Sequence, residues 1–220
     1  MVFATDVHVH EEFRERHGDM IERAVRGITL AHDNLDLFRK RTPNEPRSAT
    51  LELLFHAAIN AVLCATHHLV SGYPTSAGNM LRHYTEAVAM ALLCLDRTSG
   101  VFEQFSSNMK DFPVHSAPTK LRQTKRRHAL KELIAFDEQA WETVLSLNQV
   151  YDSLSHASAL SLAHLQRFDT DNVMILGGEY DTAKDDAYAK DLGRCATAAE
   201  SLAHLLSVVT ATLYPAERAT

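Results

Sequence analysis

Ile21-Glu22-Arg23-Ala24-Val25-Arg26-Gly27-Ile28-Thr29-Leu30-Ala31-His32-Asp33-Asn34-Leu35-Asp36-Leu37-Phe38 carries apolar or large residues at 21, 24, 28, 31, 35 and 38. The steps alternate between three and four residues, which is the a/d seam of a helix that packs on other helices. A long amphipathic helix is therefore expected from His17 to the neighbourhood of Pro43 and Pro46, which cannot continue it. Its seam residues Ile21, Ala24, Ile28, Leu35 and Phe38 should be buried.

Working outward, a second helix is expected from Ser48, whose hydroxyl suits an N-cap, to Gly72. It is apolar almost all round (Leu51, Leu53, Leu54, Phe55, Ile59, Val62, Leu63, Leu69), which predicts a central position. Gly72-Tyr73-Pro74-Thr75 reads as a tight turn, and Ser76 to about Asp96 as a third helix, apolar through its second half. Residues 97–127 are irregular, with Pro113, Pro118, a short helix around Val101–Met109 and a basic run from Lys120 to Arg127. A fourth long helix follows to about His156. Residues 172–181, with Gly177-Gly178 at the centre, read as a short β-hairpin or ordered loop. Ala183 to Tyr214 is the last helix. The fold class is all-α: an up-and-down bundle of about five long helices, with residues 1–220 as one domain.

Composition sets outer limits. The chain of 220 residues is 45% hydrophobic and 23% charged, which fits a packed domain and not a disordered one. A formal charge of −6 excludes a surface that is basic overall, so nucleic-acid contact would use a local patch. Cys64, Cys94 and Cys195 are widely spaced in apolar stretches, the pattern of reduced thiols. The opening residues lack a basic start followed by an apolar core. The longest unbroken apolar run, Ala87–Leu95, is about half of a membrane span. A cytoplasmic protein without a membrane partner is expected. The chain shows no Gly-rich phosphate loop and no nucleophile elbow, and no cofactor is expected.

Polar residues fall in two stripes. Glu52, His56 and Asn60 lie at i, i+4 and i+8 on the second helix, and Asn79, Arg82, His83 and Glu86 share one face of the third. Charges on helices this apolar are expensive to bury alone, so Arg82 and Glu86 should pair. Three readings follow. The stripes form a register-fixing network or face solvent; or they line a pocket for an anion or nucleotide, with Arg82 as bidentate donor; or they hold a metal through Glu52/His56, Glu200/His204 and His83/Glu86. No metal is expected, because dinuclear bundles use a Glu-x-x-His spacing that none of these pairs has.

Tyr151-Asp152-Ser153-Leu154-Ser155-His156-Ala157-Ser158 resembles a Tyr-x-x-Leu-Ser element leading into His-x-Ser in a group of bacterial helical proteins. Upstream, Ser76-Ala77…Leu81-Arg82-His83-Tyr84-Thr85-Glu86 matches that group's Ser-Ala…Leu-Arg-x-x-x-Glu helix. A Gly-Gly loop and a final helix follow in the same order, over residues 47–214. The group is similar to the HEPN (higher eukaryotes and prokaryotes nucleotide-binding) superfamily. The resemblance implies RNA or nucleotide binding, and a metal-independent ribonuclease of a defence or toxin system acting as a homo-oligomer. In HEPN ribonucleases the catalytic pair is an Arg followed by four to six residues and then a His, the Arg steadying the phosphate and the His transferring protons. That spacing occurs here only at Arg26…His32 and Arg122…His128, both earlier than the group's motif. The candidate catalytic residues are therefore Arg82, Glu86, Tyr151 and His156, with Asn79, His83, Ser155 and Ser158 as ligand contacts. Two alternatives stand beside this reading: a non-catalytic dimerisation or interaction module, and a metal-binding bundle.

Overall fold

The computed structural model describes residues 7–134, 163, 166–169 and 178–215. Among them every regular element is helical: α1 (Val7–Arg41), α2 (Pro46–Val70), α3 (Pro74–Leu95), α4 (Val101–Ser107), α5 (Ala117–Leu121), α6 (Thr124–Ile134) and α7 (Asp185–Leu213). The protein is all-α. Four helices of 22 to 35 residues dominate the described residues. The expected fourth long helix is seen as α6, and the rest of its predicted course lies outside the described residues. So does most of the expected hairpin, and Gly178–Asp181 form a loop with no strand. Short connections at residues 42–45 and 71–73 make α1, α2 and α3 successive antiparallel neighbours, and α7 packs on both α1 and α2.

α1 begins ten residues earlier than its seam suggests, because the helix is kinked at His17 (φ −130°, ψ 21°) and the periodic pattern changes register there. Beyond the kink, Ala24, Ala31, Leu35 and Phe38 are buried, as expected. Ile21 and Ile28 are only half-buried, and Gly27 takes the contact instead. There α1 crosses α7 so closely that a Cβ on Gly27 would sit 2.8 Å from Ala199 Cβ. Arg23 grips Glu200 through two parallel hydrogen bonds of 2.7 and 2.5 Å beside the crossing, and Asn34 Nδ2 donates to the Ala203 carbonyl at 2.8 Å. Phe38 stacks edge-on against Phe55 and Tyr214 at the far end, joining α1, α2 and the end of α7.

α2 starts at Pro46 with Glu45 before it, and Ser48 does not cap it. The proline's fixed φ suits the first helical position, which draws the boundary two residues back. Ser48 Oγ is instead buried without a hydrogen bond. The same rule moves the start of α3 to Pro74. α2 is central on one side only: Leu51, Phe55, Ile59, Val62 and Leu69 are buried, whereas Leu53 and Leu63 are 65% and 50% exposed. α2 and the segment Thr182–Leu213 are long and apolar enough by composition to cross a membrane. The unbroken-run criterion misses them because single polar residues, such as Glu52, His56 and Asn60 on α2, interrupt the apolar letters. In this fold both pack their apolar faces against other helices.

Two outcomes test this architecture. Replacing Gly27 with Leu should destabilise the protein by about 1–3 kcal/mol through overpacking at the α1–α7 crossing, read by denaturant melting. The second concerns Glu200, whose carboxyl is held below its ordinary 4.5 chiefly by hydrogen bonds from Arg23. A lowered folded value means the unfolded chain takes up the proton first, so the pair stabilises above the ordinary value and is lost as pH falls below it. Both side chains are nearly half exposed, so the effect is about 0.2–1 kcal/mol. The difference in melting temperature between wild type and Glu200→Gln, present at neutral pH, should shrink as pH falls below 4.5 and vanish once Glu200 is protonated in the folded protein.

Candidate functional site

α3 is the most deeply buried helix. Every residue from Tyr84 to Asp96 is buried, and Glu86 is the only charge within the helix after residue 82. Its carboxylate is held from its own helix. Arg82 Nε lies 3.0 Å from Glu86 Oε1, one turn earlier, and His83 Nδ1 lies 3.6 Å from Oε2. The Arg82 side chain is 27% exposed and that of Glu86 11%, so the carboxylate is nearly enclosed while the guanidinium reaches the surface. His83 stands in solvent and Asn79 is half-buried one turn before it. The expected Arg82–Glu86 pair is present, with His83 joined to it. Tyr151, Ser155, His156 and Ser158 lie outside the described residues.

Beside this cluster, a groove of about 400 Å³ runs between α2 and α3, lined by Leu54, Ala57, Asn60, Met80, His83 and Glu86 among others. Its lining is mostly apolar, with Asn60, His83 and Glu86 as the polar groups. That combination suits a flat, partly apolar ligand with a few hydrogen-bonding edges, such as a nucleobase.

The metal reading does not assemble. Glu52 is taken by Arg39 at 2.7 Å and Glu200 by Arg23. Those arginines stand sixteen residues apart on α1, about 24 Å of helix, so the two carboxylates cannot share an ion. Among the described residues no group of three His, Cys, Asp or Glu is placed to hold a metal. The two Arg…His spacings are likewise local surface pairs: Arg26 with Glu22, His32 with Asp36, and His128 with Glu132. The basic run from Lys120 spans α5 and the first turn of α6. Lys120 sits over the Phe112 ring at 4.6 Å, and Arg126 Nη1 is shielded from solvent without a hydrogen bond.

A second polar cluster, at the α1 kink, has no counterpart in the sequence reading. Tyr180 Oη donates to Asp185 Oδ1, and His17 Nε2 lies 3.0 Å from Tyr180 Oη. Since the phenol gives its one proton to the carboxylate, the histidine must be the donor to its oxygen. Arg16 covers the Tyr180 ring, while Phe13 and Tyr188 close the cluster below. Burial and the bond to Asp185 push the Tyr180 phenol well above its ordinary value, and burial pushes Tyr188 up to about 12. Next to it, Asp181 is fully buried: it accepts from the Phe168 and Ala183 amides and pairs with Lys184 at 3.4 Å. These groups come from positions more than 160 residues apart, and no local spacing announces them. Gly72 and Gly178 carry a faint signal. A Cβ on Gly178 would fall 1.9 Å from the Ser71 carbonyl, so the α2–α3 turn and the loop before α7 touch backbone to backbone.

No family model matches the chain, and no curated protein or solved structure is significantly similar to it.

The cysteines offer no nucleophile. Burial raises the Cys94 and Cys195 thiols to about 12, leaving a negligible thiolate fraction at neutral pH. A thiol reagent added to the native protein near neutral pH should label Cys64 alone, with all three reacting after denaturation; rapid native labelling of Cys195 would contradict its burial.

Proposed function

We propose that this chain is a cytoplasmic, HEPN-like helical protein that binds RNA or a nucleotide in the α2–α3 groove, and acts as a metal-independent ribonuclease. The observation that carries the reading is the asymmetry of the Arg82–Glu86 pair. A carboxylate enclosed on the most apolar helix holds an arginine that is itself more than a quarter exposed, so the pair links the buried helix to the surface beside the groove. Glu86 anchors the Nε edge and sets the direction of the guanidinium, a planar group suited to recognising a phosphate. The matched motif adds His156 as the group that takes the 2′-hydroxyl proton, with Tyr151 as a second group for proton transfer. The attacking 2′-oxygen then forms a cyclic phosphate, and the 5′-oxygen leaves with a proton from the acid form of the same pair. Asn79, His83, Ser155 and Ser158 are assigned to holding the base and sugar, and the basic run 120–128 to further phosphates. The three free cysteines agree with a reducing compartment.

The decisive measurement combines stability with activity. Arg82→Ala and His156→Ala are expected to keep the helical content and melt within a few degrees of wild type. Both should lose binding and cleavage of single-stranded RNA, by about 100-fold or more in rate. Binding by the wild type should weaken steeply with salt. If the pair is only structural, Arg82→Ala will instead lose about 3–5 kcal/mol by stranding Glu86, and His156→Ala will bind as the wild type does. A wild-type protein that neither binds nor cuts RNA and binds no nucleotide overturns the reading. The non-catalytic interaction module is favoured by a separate observation, the uncharged outer face of α2.

A further inference from the structure

A cavity of about 500 Å³ lies at the end of the bundle opposite the α1 kink, against the C-terminal ends of α3 and α7 and the start of α2. Leu51, Leu95, Leu133 and Leu213 supply apolar walls, with Tyr214 beside them. The charged residues of the lining are Arg47, Asp96, Arg97 and Glu132. Three of them have ionisable partners. Arg47 donates to Glu103 and to the Cys94 carbonyl, both at 2.6 Å, and Arg97 donates to Glu45 at 3.3 Å. Glu132 lies 3.4 Å from His128, with both side chains in solvent. Asp96 has no such partner among the described residues, and the neighbouring Arg97 turns to Glu45 instead. Asp96 is only 6% exposed. Its Oδ1 alone takes its hydrogen bonds, from the Thr98 amide at 2.9 Å and the Thr98 hydroxyl at 2.6 Å. Among the described residues Oδ2 accepts none. It is not sealed from solvent either, so this edge of the carboxylate opens on the cavity that Asp96 lines.

We propose that this cavity binds an organic ammonium ion with an apolar body, an alkylamine or arylalkylamine whose N–H groups bond to Asp96 Oδ2. A carboxylate this buried is costly to keep with one oxygen unsatisfied, and a charged donor offsets that cost best. The sign of the ligand follows from the lining as a whole. Both arginines are engaged by carboxylates, so the charge left without a counterion inside the cavity is negative. The carbonyl ends of α3 and α7 add partial negative charge on the same side. A metal ion would need more oxygen ligands than one free carboxylate edge among leucines supplies. The apolar walls select the hydrocarbon part, at about 3-fold to 4-fold in affinity for each methylene buried. The turn at Asp96–Thr98 accounts for Oδ1 and leaves Oδ2 without a role. The site is separate from the α2–α3 groove and does not depend on RNA binding.

Hexylammonium chloride is the probe. Titration calorimetry should show saturable binding of one ion per chain below about 10 mM, and the melting temperature should rise as the salt is added. Butylammonium should bind about 10-fold more weakly. Hexanoate, of the same length and opposite charge, should not bind. Asp96→Asn keeps an acceptor for Thr98 and removes the charge. It should melt near the wild type without ligand and lose hexylammonium affinity by about 10-fold or more. Leu133→Trp narrows the cavity from a partly buried wall position and should also weaken binding. Glu11→Gln, an exposed carboxylate at the other end of the bundle, should bind as the wild type does, which separates the site from general attraction to an acidic protein. The proposal is overturned if the wild type does not bind hexylammonium, if hexanoate binds as tightly, or if Asp96→Asn binds it unchanged. Should Asp96→Asn fail to fold, unchanged affinity in Leu133→Trp overturns it equally.

Discussion

Thirteen consecutive residues of α3, Tyr84 to Asp96, lie out of solvent. A stretch of helix that is apolar all round cannot sit at an edge, and among the described residues α2 and α5 pack most closely on it, with α7 touching it. The few polar groups it carries must find partners in place. Tyr84 Oη donates to the Ala198 carbonyl on α7 at 3.0 Å, and Glu86 draws in Arg82. At the C-terminal end, Arg47 donates to the Cys94 carbonyl at 2.6 Å and to Glu103, and lies over Phe102. That one arginine ties the start of α2 to the open end of α3 and to α4, where unsatisfied helix carbonyls favour a cation.

The second support is the clamp of α1 on α7. Close approach at Gly27 and Ala199 brings two backbones together over a small contact, and Arg23 and Asn34 fasten it on either side. Further toward the N-terminus the kink at His17 turns the first residues of α1 back over the loop that leads into α7. His10 reaches the hydroxyl of Ser71, and Tyr180 and Asp185 receive His17. The turn after α2, the start of α1 and the approach to α7 are thus held at one end of the bundle by hydrogen bonds added to the ring contacts of Phe13, Tyr180 and Tyr188.

These two supports leave different surfaces for function. The α1–α7 side is closed by paired charges. Among the described residues, the α2–α3 side carries an apolar groove, an arginine fixed at one edge and a helix face without charge. A structural helix in water is ordinarily furnished with charges on its outer face, as α1 is. Their lack on α2, beside the most strongly constrained ion pair of α3, gathers the candidate chemistry and the candidate interface on one side of the molecule.

The sequence by itself determined what depends on neighbours along the chain. The all-α class, the Arg82–Glu86 pairing and the irregular region after residue 97 follow from three- and four-residue spacing or from proline and are present, and the a/d seam of α1 holds at Ala24, Ala31, Leu35 and Phe38. Proline also misled at the helix starts, because its preference for the first helical position outweighs a serine cap two residues later. Tertiary structure decided what depends on distant partners. Leu53 and Leu63 resemble Leu51 and Val62 as letters, and only the packing of α1, α3 and α7 selects which side of α2 is covered. Gly27 replaces Ile28 in the contact because α7 crosses there. The cluster of His17, Tyr180 and Asp185 joins residues more than 160 positions apart, and hydrophobic periodicity carries no information about which polar groups a fold will bring face to face.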